Sequence, residues 1–183
     1  MDLGLKGKSV LVTGGSKGIG LACARVFAAE GANLQLAARS ADLLDRAARD
    51  LVGKYGVEAR AHTVDLRGPG SAERLAADAG PIDVLVNNAG DIPGGALGAI
   101  DEPKWRHAWE LKVFGFVNVT RAVLAGMQER RRGVIVNVIG MGGIIHPADY
   151  VCGAAGNGAL DGFTRAVGKG SVRHGVQIGR AHV

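Results

Sequence analysis

Cysteine is nearly absent: Cys23 and Cys152 are the only two in 183 residues, and neither belongs to a CxxC pair. This excludes a disulfide framework and offers no metal-ligand spacing, so both are expected to be reduced, buried thiols of a cytoplasmic protein with no metal site. Long apolar runs are missing as well. No stretch approaches the roughly 18 residues that cross a bilayer, and the N-terminal MDLGLKGKSV has no apolar core of a signal peptide. A soluble, unexported protein with no membrane partner is expected. There is no internal repeat, linker or low-complexity tract, so residues 1–177 read as a single domain. Excess charge is modest, with a formal net of +5, which suits an anionic ligand such as a nucleotide phosphate but by itself argues for nothing more than solubility. The densest basic run, Arg130 to Arg132, follows an apolar helical pattern and precedes Gly133. Cations are favoured there by the helix dipole, and no nucleic-acid partner is expected.

What the chain has in abundance is glycine, 30 residues of it, in a composition 47% hydrophobic and 21% charged. Apolar runs recur between the glycines, which points to tight turns and close backbone approaches rather than disorder. Short β-like runs alternate with longer helical patterns. SVLVTG precedes IGLACARVFAAEGA, in which Ile19, Ala22, Val26 and Phe27 recur at helical spacing and Gly31 is the stop. NLQLAAR is a second strand, and the helix after it has Ser40 as N-cap and Gly56 as terminator. VEARAHTVDL, IDVLVNNAG and GVIVNVIG supply three more strands, with a short helix at SAERLAADAG and a long one over about 101–131. The alternation predicts an α/β fold, a Rossmann-type doubly wound parallel sheet with helices on both faces.

The first strand–helix junction, TGGSKGIG, places Gly14, Gly18 and Gly20 where bare backbone can approach a pyrophosphate on a helix N-terminus. With Asp65 after the third strand and NNAG at Asn87 to Gly90 after the fourth, the chain resembles the classical short-chain dehydrogenase/reductase family over nearly its whole length. The resemblance implies that the loop Gly14, Ser16, Lys17, Gly18, Ile19 and Gly20 holds the dinucleotide. It also implies that Asp65 and Leu66 contact the adenine, that Asn88, Ala89 and Gly90 lie against the nicotinamide-side ribose, and that the protein is a dimer or tetramer. The second strand ends in Ala38-Arg39 rather than an acid, so Arg39 suits a 2′-phosphate and NADP is favoured over NAD. Lys17 points the same way.

By the same resemblance, a Ser at the end of the fifth strand polarises the substrate carbonyl and a Tyr exchanges the proton. A Lys four residues later depresses the Tyr pKa, and an Asn in the long helix completes a relay through water. The stretch YVCGAAGN aligns in two ways. If Tyr150 takes the Tyr place, Ala154 takes the Lys place. If the helix is aligned without a gap, the better choice, Gly140, Gly153 and Asn157 stand in the Ser, Tyr and Lys places and Lys112 stands in the Asn place. Lys and Asn are then exchanged across the site. Tyr150, Lys112 and Asn157 are the catalytic candidates, with Tyr150 as a displaced acid and Lys112 as a cation near the ribose; His146 is a weaker candidate. The other reading of Lys112 is a surface lysine on a long helix.

Two functions remain open. One is an NADP(H)-dependent oxidoreductase acting on a small-molecule carbonyl or alcohol, and the other is a non-catalytic dinucleotide-binding sensor or supporting subunit. GDIPGGALGAIDEPKW is expected to form one wall of the substrate site, through Ile92, Leu97 and Trp105. At the C-terminus the resemblance implies a sixth and a seventh strand. Ile178 to Val183 instead reads as a non-native tail, matching the translation of common sequencing-adapter DNA. The expected sheet therefore lacks its last strands and leaves the outer edge of the fifth unpaired.

Overall fold

Consecutive apolar residues make strands that can be covered on both faces, and here they form one parallel sheet. In the computed structural model, which describes residues 3–183, the strands are β1 (Ser9–Thr13), β2 (Asn33–Ala38), β3 (Ala59–Thr63), β4 (Val84–Asn87), β5 (Gly133–Ile139) and β6 (Val176–His182). Their order is β3-β2-β1-β4-β5-β6, and every neighbouring pair is parallel. The order reverses between β1 and β4, the switch point beyond whose strand tips open α/β sheets bind ligands.

β6 corrects the sequence reading. The sheet does not stop at β5: Val176 to His182 pairs in register with Gly133 to Ile139, so the outer N–H and C=O groups of β5 are satisfied. Residues 178–183, read as a tail, supply most of that strand. Val176 is fully buried, Ile178 packs beside it under the helical layer, and the Arg180 guanidinium meets the Asp161 carboxylate at 2.5 Å.

The helices are α1 (Gly18–Ala29), α2 (Ala41–Tyr55), α3 (Ser71–Ala79), α4 (Glu102–Trp109), α5 (Gly115–Glu129), α6 (Gly142–Ile145) and α7 (Val151–Ser171). α1 turns a different face to the sheet than its largest apolar residues suggest. Ile19 and Val26 are exposed, while Gly20, Ala24 and Ala28, four residues apart, are buried against Val10, Val12, Leu34 and Leu36. Small side chains let this helix lie close on the strands. Gly56 ends α2 at φ 68°, but Ser40 makes no side-chain capping bond. The long helix is continuous from α4 to α5 through a π turn, Glu110–Phe114. It starts at Asp101, whose carboxylate accepts the Lys104 N–H at 2.8 Å. Two of the three arginines after α5 engage the residues that lead into β4: Arg130 donates to Ile82 O at 2.8 Å and Arg132 lies 3.6 Å from Asp83. Cys152 is buried as expected, whereas Cys23 is only half-buried. Among the described residues no helix is long and apolar enough to cross a membrane, and no group of three or more His, Cys, Asp or Glu could hold a metal ion.

Alternate residues of β1 serve opposite layers: Val10 and Val12 face α1 and α2, and Leu11 faces α3 and α5. A polar spine crosses the second layer. Asn87 and Asn137, cross-strand partners and both fully buried, share an Nδ2–H···Oδ1 bond of 2.9 Å, and Asn87 also donates to Thr120 Oγ1 at 3.0 Å. Asn137 donates in turn to Thr164 Oγ1 at 2.9 Å, tying β4, β5, α5 and α7 together. Removing one member leaves buried groups unpaired. Asn137→Leu should lower the unfolding free energy in urea by about 1–3 kcal/mol, and an unchanged midpoint would contradict this role for the spine.

Candidate active site

At the tip of β1 the chain is held against the tip of β4 by side-chain bonds. Thr13 Oγ1 accepts the N–H groups of Asn88 and Ala89 at 2.9 and 3.1 Å, and the Asn88 amide donates back to Thr13 O at 3.1 Å. Gly14 adopts φ 68° and Gly18 φ 56°, the left-handed region that glycine enters without strain. Gly20 lies directly beneath: a Cβ there would overlap Gly14 O and come within 2.6 Å of Asn88 Nδ2. The loop therefore folds flat, and α1 starts with no acidic residue in its first turn. Its unpaired N–H groups and positive dipole end face the space above.

That space is a cleft of about 460 Å³ over the β1–β4 crossing. Gly14, Ser16, Lys17, Gly18, Ile19, Arg39, Leu66, Asn88, Ala89 and Gly90 line it, and Lys112, Tyr150 and Asn157 line its far end. Two expected residues do not reach it. Gly20 acts from below, as described, and the Asp65 carboxylate accepts the Arg67 N–H at 3.0 Å with the Arg67 guanidinium 3.4 Å away. The expected substrate wall divides. Ile92 lines the cleft, but Leu97 is exposed and Trp105 stacks at 6.1 Å on Trp109 in a separate cluster with Ile100, Ala108 and Cys152. His146, at φ 49° after α6, lies outside the cleft. Sequence reasoning missed Asp91, which lines the rim and lies 3.8 Å from the Arg39 guanidinium.

Lys112 is not a surface lysine. Leu111, Lys112 and Val113, consecutive in the π turn, are all buried, and single π turns inside α-helices are frequent at functional sites. The Lys112 Nζ donates to Val138 O at 2.8 Å and sits 4.5 Å from the centroid of the Phe116 ring. The stem passes over Gly90, where a Cβ would come within 2.9 Å of Cδ. No carboxylate pairs with it among the described residues, and burial pulls its pKa from 10.5 down to about 8.

Asn157 is fully spoken for by backbone on two sides. Its Oδ1 accepts the Gly140 N–H at 2.8 Å and its Nδ2 donates to Gly153 O at 2.8 Å, bracing the end of β5 against the first turns of α7. A Cβ at Gly140 would come within 2.9 Å of that amide. Tyr150 sits just before α7, half-buried. Burial raises its pKa above the usual 10.0, and the nearby Asn157 amide pulls in the opposite direction.

The family profile described as short chain dehydrogenase matches residues 8–182. The chain belongs to the short-chain dehydrogenase/reductase family. The 3-oxoacyl-acyl-carrier-protein reductase of Chlamydia muridarum is 33% identical over 172 residues, covering 90% of this chain and 68% of that protein. The crystal structure of L-sorbose reductase from Gluconobacter frateurii complexed with NADPH and L-sorbose superposes with a TM-score of 0.94 at 32% identity, over 98% of this chain and 70% of that one. A metagenomic short-chain oxidoreductase in complex with NADP gives a TM-score of 0.92 at 31% identity, over 97% and 82%. The chain spans 66% and 68% of the length of two of the curated relatives it matches, and 46% of another. Short-chain dehydrogenases/reductases are oxidoreductases, and the cleft described above lies at the switch point of the sheet, beyond whose strand tips open α/β folds bind ligands.

The buried ammonium makes stability depend on pH in a definite sense. The folded-state pKa lies below the unfolded one, so between about pH 8 and 10.5 the unfolded chain binds a proton that the folded chain has released, and stability rises with pH across that window. Below it the dehydrated cation costs a constant amount, roughly 3 kcal/mol. Lys112→Met should therefore be more stable than the parent protein in urea denaturation at neutral pH, by up to roughly 3 kcal/mol, with the difference shrinking from about pH 8 upward and gone above about pH 10.5. Equal stability at neutral pH would contradict the dehydration of this group.

Proposed function

We propose that this protein is an NADP(H)-dependent oxidoreductase that interconverts the carbonyl and alcohol forms of a small molecule. The observation that carries the reading is the rim of the cleft, where Arg39 and Lys17 stand at the tip of β2 and in the glycine loop with no acidic residue at the end of β2. A guanidinium in that position favours a 2′-phosphate over a free 2′-hydroxyl. The L-sorbose reductase and the metagenomic oxidoreductase, whose crystal structures hold NADPH and NADP, support the choice.

The residues fit the dinucleotide. The flat loop at Gly14, Gly18 and Gly20 removes the side chains that would stand between a pyrophosphate and the N–H groups of α1, and the α1 dipole favours the negative charge. Leu66 offers an apolar wall for the adenine, and the backbone of Asn88, Ala89 and Gly90 borders the sugar on the nicotinamide side. Lys112, the cation at the far end, would hold the hydroxyls of that sugar. When bound, the reduced nicotinamide supplies a hydride to an electrophilic carbon. The protein's share is to hold that ring over the β4–β5 end of the cleft, narrow the space beside it with Ile92 and Val138, and supply a proton.

Arg39→Asp should reverse the preference. In fluorescence titrations the parent protein should bind NADPH more tightly than NADH by about 10–100-fold, the worth of one charge-assisted pair, and the variant should prefer NADH. Equal affinities in the parent protein would remove the basis for NADP. Saturable binding with no turnover on any aldehyde, ketone or quinone would move the protein to the non-catalytic reading.

A further inference from the structure

One carboxylate lines the cleft among the described residues, and it lies beside the cation at the tip of β2. We infer that Asp91 is an intramolecular competitor of the dinucleotide 2′-phosphate: it occupies Arg39 in the free protein, yields it to the phosphate on binding, and so limits the preference for NADP(H) over NAD(H). The inference rests on the NADP(H) reading above.

The roots of the two side chains are fixed on either side of β1. In the sheet order β2-β1-β4, Arg39 follows the last residue of β2 and Asp91 follows the NNAG segment that ends β4. Neighbouring strands lie about 4.8 Å apart, so the two tips stand roughly 10 Å from each other. Both are tied to the tip between them. The Gly14 and Gly15 N–H groups donate to Ala37 O at 2.7 and 3.2 Å, and Thr13 Oγ1 takes the N–H groups of Asn88 and Ala89. From these anchors the two side chains reach toward each other across the tip of β1, where Arg39 Nη2 lies 3.8 Å from Asp91 Oδ2.

Their surroundings make this pairing matter to a ligand. Lys17, Arg39 and Lys112 are the cations of the cleft, and Asp91 is its one anion among the described residues. A 2′-phosphate brings close to two negative charges to the Arg39 end. Its oxygens would take the same guanidinium fork that the carboxylate approaches. Binding therefore exchanges one anion for another on Arg39 and leaves Asp91 unpaired beside a phosphate. A dinucleotide with a free 2′-hydroxyl brings no charge to that place, so Asp91 stays where it is. The exchange is an easy one, because the side chains of Arg39 and Asp91 are 54% and 68% exposed, and an exposed ion pair favours the paired arrangement by no more than about fivefold. Dinucleotide folds that select NAD place an acid at the end of β2, where it accepts from the 2′-hydroxyl. Here the acid arrives from the β4 side and meets a guanidinium instead.

Asp91→Asn keeps the shape of the side chain and removes its charge at an exposed position. In fluorescence titrations at low ionic strength, the variant should bind NADPH about 3–10-fold more tightly than the parent protein, with NADH affinity changed by less than about twofold. In stopped-flow mixing the gain should appear in the association rate, because the competitor acts before the ligand arrives. Adenosine 2′,5′-bisphosphate, which carries the 2′-phosphate without the nicotinamide half, should show the same gain. In an Arg39→Gln background, Asp91→Asn should lose most of its effect, since a competitor without its target has nothing to occupy. Unchanged or weaker NADPH binding in Asp91→Asn overturns the inference and leaves the function standing. Equal tightening toward NADH, or a gain that persists in full without Arg39, also overturns it by making Asp91 a general repulsive charge. Failure of the parent protein to bind NADPH overturns the function itself, and the inference falls with it.

Discussion

The contact on which the site depends is the clasp between the tips of β1 and β4. A single hydroxyl, Thr13 Oγ1, takes two consecutive N–H groups from the start of the segment after β4, and the Asn88 amide reaches back to the loop that leads into α1. Two connections that leave adjacent strands toward opposite faces of the sheet are thereby fixed to each other. The cleft is the gap they leave on either side of this clasp. Its geometry tolerates no side chain at Gly20, which is why the glycine pattern is a steric requirement of the fold before it is a feature of ligand binding.

The same economy recurs at the far end. Lys112 lies on Gly90, the Asn157 amide on Gly140, and the Tyr150 ring on Gly142 and Gly153. Each polar group at this end occupies a place where a neighbour has no Cβ. The π turn coincides with the burial of Lys112, since Leu111, Lys112 and Val113 are consecutive in it and all three are buried. The Lys112 ammonium has a carbonyl and a ring for company but no carboxylate among the described residues, and buried, perturbed groups of this kind gather at functional sites.

The strands and most strand-tip residues of the cleft were legible because their signals are local. Apolar runs bounded by glycine mark the strands, and their alternation with helical patterns marks a parallel sheet. The face of α1 was not, because the residues it buries are Gly20, Ala24 and Ala28 while its larger apolar side chains face out; close helix–strand packing selects small volume over hydrophobicity. β6 is not legible in the same way, because Ile178 to Val183 resembles translated adapter DNA and its pairing with β5 appears only in the structure. Val176 and Ile178 face the core, and the alternate residues Gln177 and Gly179 are exposed, as in a strand. Asp65 follows a strand as expected, but the nearby Arg67 claims its carboxylate. The spacing of Tyr150 from Asn157 suggested a displaced acid, yet only the three-dimensional positions of α6 and α7 show that the ring fills the volume above Gly153.

Amide hydrogen exchange with and without NADPH tests the central claim, that the clasped β1–β4 tips and the α1 N-terminus form a dinucleotide site, more directly than any activity assay. Ligand bound only to the folded site slows the opening of the segments it touches. The account predicts slowed exchange in peptides covering residues 14–20 and 88–92, with a smaller effect at 38–40. Protection confined to another region, such as the apolar groove of Trp105, Trp109 and Phe114 along the long helix, or no change at saturating NADPH, would contradict it.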